Sequence, residues 1–213
     1  MTSIFNQFYR LYFRPSQFFS DTNLLQNRWL IFLATAFYSV IVVFERIEQK
    51  VIRYDMVNVP ESKEALLNTI VTSWFVFWSV SLVIGLLFAW LIWWIGGWFY
   101  NLRIKWCDAG QFNRELGRSI YVISNMVYAL PVAIGMLIVT ICYKDYLSFY
   151  SEDYIFSLVA MVFVVWSLIA SYKAVATNFK VKRWLAIWWF IAAPIIVNIL
   201  ILSFYVFVSL YIK

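Results

Sequence analysis

Residues Ile95–Pro131 read IGGWFYNLRIKWCDAGQFNRELGRSIYVISNMVYALP. An apolar run stops at Gly96-Gly97 and passes into the aromatic cluster Trp98-Phe99-Tyr100. A polar, net-basic loop follows; a second apolar run then begins and meets Pro131. This is the pattern of one membrane crossing, a short basic connection and a return crossing. Outward from it, in both directions, the chain is more apolar runs and more short connections.

Composition supports that reading. Of 213 residues, 64% are hydrophobic and 13% charged, with a net charge of +6 and a mean hydropathy of +0.77. A water-soluble domain is nearer half apolar, so a bilayer must solvate part of this chain. There is no histidine, and the two cysteines, Cys107 and Cys142, are far apart. No zinc, haem or iron–sulfur spacing exists, so neither metal nor cofactor is expected. No nucleic-acid partner is expected either. The N-terminus lacks a short apolar core followed by a small-residue cleavage site, so no cleaved signal peptide is expected.

The fold expected is all-α: five transmembrane helices preceded by an amphipathic interfacial helix. In SIFNQFYRLYFR (residues 3–14), Ile4, Phe5, Phe8, Tyr9 and Tyr12 share one face, and Asn6, Gln7, Arg10 and Arg14 lie on the other. Such a helix lies in the membrane interface or packs on other protein. Pro15 ends it, and Asn23 with Gln26 forms a weak capping box ahead of the first crossing. Residues 1–28 thus form a cytoplasmic amphipathic segment and 29–213 a transmembrane domain. Its spans fall at about 29–44, 69–100, 119–143, 154–172 and 184–212. The first is short of the ~20 residues a bilayer needs, so Arg28 and Arg46 must snorkel at its ends. The second is long enough to tilt or to break at Gly96-Gly97. No Asp, Glu, Lys or Arg lies inside any of the five as bounded here.

Lysine and arginine orient the chain. The first, third and fifth connecting segments carry eleven of the cations and three acids; the other three carry six cations and eight acids. The positive-inside rule therefore puts the N-terminus inside and the C-terminus outside. Eight of the twelve tryptophans lie at the ends thus placed inside, including Trp93, Trp94 and Trp98. They read as an aromatic belt rather than a ligand-stacking site.

With this topology, several stretches in order resemble one family. Arg14-Pro15-x-x-Phe18-Phe19 resembles its leading segment. Gly96-Gly97 with Gly110-x-Phe112-x-x-x-Leu116 resembles its glycine-ended second span and basic loop. Tyr128-x-x-Pro131 resembles its third span, and Trp166–Lys173 with Lys180–Arg183 its fourth-span exit. The family is the Yip family of five-span, Ypt/Rab-GTPase-interacting membrane proteins, here in a bacterial-type short form. The resemblance implies five spans, a cytosolic N-terminus, a bacterial cytoplasmic membrane and association with other membrane proteins, with no known chemistry.

Few constellations could carry chemistry. Glu45, Glu48, Asp55, Glu61 and Glu64 read as a solvated acidic connection, since they lack a spaced ligand pattern. Lys180, Lys182 and Arg183 form the densest basic group, placed to meet anionic lipid or simply to anchor the helix. Ser81, Gly85 and Ala89 make a small-residue stripe for a helix contact, with another chain or inside the bundle. Asn125, Pro131, Pro194 and Asn198 are the polar or helix-breaking residues of the third and fifth spans, expected to face protein or a cavity. Pro194 has no N–H and in an α-helix would free the carbonyl of Phe190. Asn125, at a similar depth, either donates to it, directly or through one water, or bonds within its own helix and leaves Pro194 to kink the fifth span. The expected function is that of a non-enzymatic membrane protein that binds or organises other membrane proteins, itself or lipid. The alternative is a small carrier or channel for lipid or an apolar solute.

Overall fold

A computed structural model describes residues 4–56, 61–152 and 155–211. Asp153, Tyr154 and Ile212, used above to bound spans and loops, lie outside them, as do the side chains of Asp55, Glu61 and Glu64. The chain is all-α. Three short helices open it: α1 (Ile4–Phe13), α2 (Pro15–Phe19) and α3 (Thr22–Gln26). They lead into α4 (Arg28–Met56), α5 (Glu61–Val71) and α6 (Trp74–Leu91). A π-helical turn, Ile92–Gly96, joins α6 to α7 (Gly97–Trp106). Then come α8 (Arg114–Cys142), α9 (Tyr146–Glu152) and α10 (Ile155–Asn178). The last rod is α11 (Arg183–Ile187), a second π turn (Trp188–Ala192) and α12 (Ala193–Tyr211).

Among the described residues, five stretches are long and apolar enough to cross a membrane: Arg28–Ile52, Trp74–Trp106, Arg114–Cys142, Phe156–Asn178 and Arg183–Ile201. Their bounds differ from the sequence expectation, for physical reasons. Hydropathy ends the first span at Phe44, but Glu, Arg, Gln and Lys are good helix formers and nothing stops the helix there. Ile41, Phe44, Ile47 and Val51 continue one buried face at helical spacing, so the bundle holds α4 well past Phe44. Glu45, Arg46 and Glu48 therefore lie inside the first span. Arg103 and Lys105 lie in the second of these membrane-length helices and Lys173 in the fourth, so charged groups extend the helices beyond the apolar runs. The second span starts at a cap, Ser73, rather than at Thr69. It does not break at Gly96-Gly97, because the π turn carries the helix through. The third starts earlier because the Asn113 side chain accepts from Glu115 N and Leu116 N at 2.9 and 3.2 Å. The cap ahead of the first span is Asn27, which accepts from Trp29 N and Leu30 N. Asp21 caps α3. The Asn23/Gln26 capping box is not formed.

Helix α8 is the centre, packed against α4, α7 and α10, while α6 packs on α4. At one end, called basic here, Asn178 donates to Phe19 O and Lys182 pairs with Asp108 at 2.7 Å. At the other, acidic end, Trp74 donates to Tyr143 O and the rings of Phe44, Phe77 and Tyr146 stack in sequence.

Two prolines inside the spans each free a carbonyl, and each carbonyl is met by a side chain from far along the chain. Pro131 in α8 leaves Val127 O without its i+4 partner. The Tyr12 hydroxyl donates to it at 3.2 Å. Trp166 Nε1 donates in turn to Tyr12 O at 2.8 Å. Helix α1 is thus pinned into the bundle at Tyr12 with Leu11 buried, while Phe8, Tyr9 and Phe13 stay exposed. It is both an amphipathic surface helix and a packed one.

Pro194 acts one residue away from the expectation. The preceding turn is π-wound, with Ala193 N reaching Trp188 O. The next bond in that i+5 register would join residue 194 to Trp189 O, so the freed carbonyl is that of Trp189, not Phe190. Its donor is Arg103, through Nε at 2.9 Å and through Nη2. Asn125 donates instead to Tyr121 O, one turn back in its own helix, at 2.8 Å. The Asn125–Phe190 pairing is therefore not made.

Candidate functional site

The first-span carboxylates open the site. Phe44, Glu45 and Glu48 share one side of α4, and Tyr128, Val132 and Met136 form an i, i+4, i+8 stripe on α8. Between these stripes and α9, α10 and α12 lies a cleft of about 460 Å³. That is a size common for small-ligand sites. The Tyr128 hydroxyl faces the Glu45 carboxylate, Glu48 feels the charge of Glu45, and Tyr146 feels that of Glu48. Tyr146 is only 3% exposed, its ring stacked on Phe77. Deeper walls are apolar: Val132 and Met136 from α8, Ala160 and Val164 from α10, Ile195 and Ile199 from α12. None of the described lining residues is Lys or Arg.

The cleft exists because the last rod leaves the bundle. The π turn packs on α10, and Phe190 in it is fully buried. Beyond it, the described residues of α12 from Ile196 to Leu200 are exposed, and only 11% of the fifth span is buried. Arg103 holds the turn in place, with its guanidinium 4.3 Å from the Phe190 ring centre. Towards the basic end the interior continues as aromatic and hydroxyl groups. The rings of Tyr38 and Tyr121 meet edge to face at 5.9 Å, Tyr121 lies against Tyr100, and the Tyr100 hydroxyl is 2.8 Å from Ser171 Oγ.

Of the residues singled out from sequence, the cleft gathers Tyr128 and Asn198. The others are dispersed. Ser81, Gly85 and Ala89 are buried on one face, and a side chain at Gly85 would meet the Val40 backbone at 2.8–2.9 Å. The stripe is a contact inside the bundle, occupied by α4. Gly96 lies under the Tyr121 ring and Gly97 under the Arg118 side chain, letting the second rod approach α8 closely. Pro15 is the first residue of α2, Phe112 packs on Phe179, and nothing crowds Gly110. Pro131 and Pro194 free the two carbonyls described above. Lys180, Lys182 and Arg183 are exposed at the basic end. Asn198 also donates to Pro194 O at 2.8 Å.

Sequence reading missed Glu45, Glu48, Tyr146 and Arg103. The signal for the first two was present: continuing the Ile41–Phe44 period to Val51 keeps the helix going and carries both carboxylates into it. Cys107, just past the second span, is sealed from solvent; burial pushes its thiol up to about 11, with Arg103 pulling weakly the other way. It is a packing residue rather than a reactive one.

A sequence model of the Yip1 domain matches residues 9–205, nearly the whole chain. No curated protein and no solved structure gives a significant match.

Proposed function

Since this chain belongs to the Yip1 domain family, we propose that it is a non-enzymatic multi-pass membrane protein that binds or organises other membrane proteins. The observation that carries this reading is the last span. Beyond the π turn, α12 stands off the bundle with Ile196, Ile199 and Leu200 exposed and Asn198 among them. The Asn198 amide, although it donates to Pro194 O in its own helix, keeps donor and acceptor capacity with which a second helix gains a hydrogen bond. The side-chain inventory also favours binding over catalysis, because Glu45 faces a phenol and the chain has no histidine to serve as base. The charge bias supports an N-terminus on the cytoplasmic side, and the resemblance to short bacterial-type members supports a bacterial cytoplasmic membrane. A second reading, a small carrier or channel for lipid or an apolar solute, is favoured by the cleft between α4, α8, α10 and α12. A photo-crosslinking residue at Leu200 in native membranes separates the two. We expect a discrete crosslinked protein, either a partner or a second copy, that disappears with Asn198→Leu. Crosslinks to lipid alone would sink the protein-binding reading and favour the carrier.

A further inference from the structure

The acidic-end cleft has a polar end and an apolar end, and its polar end is lined by negative groups, with Arg46 reaching Glu45 only from outside the cleft. Two carboxylates line it, and none of its described lining residues is Lys or Arg. Arg46, next in sequence to Glu45, faces away into a separate groove between α4, α5 and α6. Carboxylates held in apolar surroundings without a counter-charge are costly, and a cationic guest removes that cost. A second observation points the same way. Tyr146 is a nearly fully buried side chain whose hydroxyl makes no hydrogen bond to another described residue, and it lines this cleft beside Glu48. A buried phenol normally has a partner. The apolar part runs from this polar end toward mid-membrane, past Met136, Ala160 and Val164 to Leu168 and Ile195. Glu48 lies twenty residues from Arg28, ~30 Å along the helix, which puts the polar end at headgroup level.

We propose that the cleft holds one membrane lipid with a primary ammonium headgroup, its acyl chain lying along α10 and α12. The ammonium supplies up to three N–H donors to Glu45 and Glu48, and Tyr146 donates to the adjoining phosphate. A quaternary ammonium has the charge but no donor, so recognition falls as the nitrogen is methylated. This goes beyond the protein-docking reading and does not rest on it.

The test uses the purified full chain and a set of lysophospholipids with one common acyl chain. Their headgroups are ethanolamine, its mono- and dimethyl forms, choline and glycerol. Retention is read by native mass spectrometry and stabilisation by thermal melting. We expect the ethanolamine lipid to bind on the order of tenfold tighter than the choline lipid, one hydrogen-bonded charge contact being worth about that factor. Binding should fall stepwise with methylation. The preference should vanish in Glu45→Gln/Glu48→Gln and persist in Arg46→Gln. Equal binding of the choline or glycerol lipid overturns the proposal, as does a preference that survives the double substitution. Competition by spermidine as effective as by the lipid also overturns it, since the guest is then a free cation. The methylation series needs only the unaltered chain, so a double variant that fails to fold leaves the test intact.

Discussion

A proline in a membrane helix is tolerated when something else satisfies the carbonyl it frees. Arg103 does this for Trp189 and Tyr12 for Val127. Arg103 brings a planar fork, so two of its nitrogens reach one oxygen while the guanidinium lies against the Phe190 ring. Lysine has the charge without the fork. We therefore expect Arg103→Lys to destabilise the bundle by about 1.5–3 kcal/mol, the range for a hydrogen bond to a charged group. The cost should shrink in a Pro194→Ala background, where residue 194 regains an N–H for Trp189 O. A double-mutant cycle in thermal melts measures this. Additive losses would show that the two residues do not share the carbonyl. The sequence made it legible that Pro194 frees a carbonyl, but neither which carbonyl nor its donor. The π turn moves the vacancy from Phe190 to Trp189, and no sequence rule used here detects a one-residue change of register. Asn125 was the wrong donor because an amide can reach back one turn in its own helix, and it does so to Tyr121 O.

At the scale of the helix, small residues decide how closely two rods approach. Gly85 meets Val40 backbone, which cannot rotate away as a side chain can. Gly85→Leu is expected to cost more than about 3 kcal/mol through overpacking and to yield aggregated or poorly folded material on size-exclusion chromatography. Val83→Leu, at a position 59% exposed on the same helix, should elute like the parent. If both variants behave alike, α4 and α6 do not pack as described. The five spans and the stripe were readable from sequence because apolar runs and small-residue spacing are local signals. The cleft was not, because its carboxylates sit where hydropathy falls while the helix continues. Recovering Glu45 and Glu48 needs the buried period of Ile41, Phe44, Ile47 and Val51, a signal carried across the apparent end of the span. Tyr128 and Asn198 could be flagged singly, but that they share one cavity follows only from how α12 leaves α10.

For the whole molecule, the two cysteines report the arrangement. Cys107 is sealed at the basic end, whereas Cys142 is exposed at the acidic end. In sealed cells an impermeant maleimide is expected to label Cys142 weakly and Cys107 not at all. After detergent extraction at pH 7–8, Cys107 should still resist, because its raised pKa leaves little thiolate there. Cys107 reacts only on unfolding. Strong labelling of Cys107 in sealed cells would reverse the orientation and contradict the burial. The pinning of Tyr12 also has a temporal side. Its acceptor, Val127 O, is 115 residues further on, and Trp166, which holds the Tyr12 carbonyl, is 154 residues further on. At 5–20 residues per second, translation leaves roughly 10–30 s between the emergence of α1 and that of its last partner. The first helix made therefore cannot complete its docking until the fourth span has emerged. Through that interval its aromatic face needs somewhere to rest, and the bilayer surface accepts it, so Phe8, Tyr9 and Phe13 mark where the helix waits before the bundle closes on Tyr12.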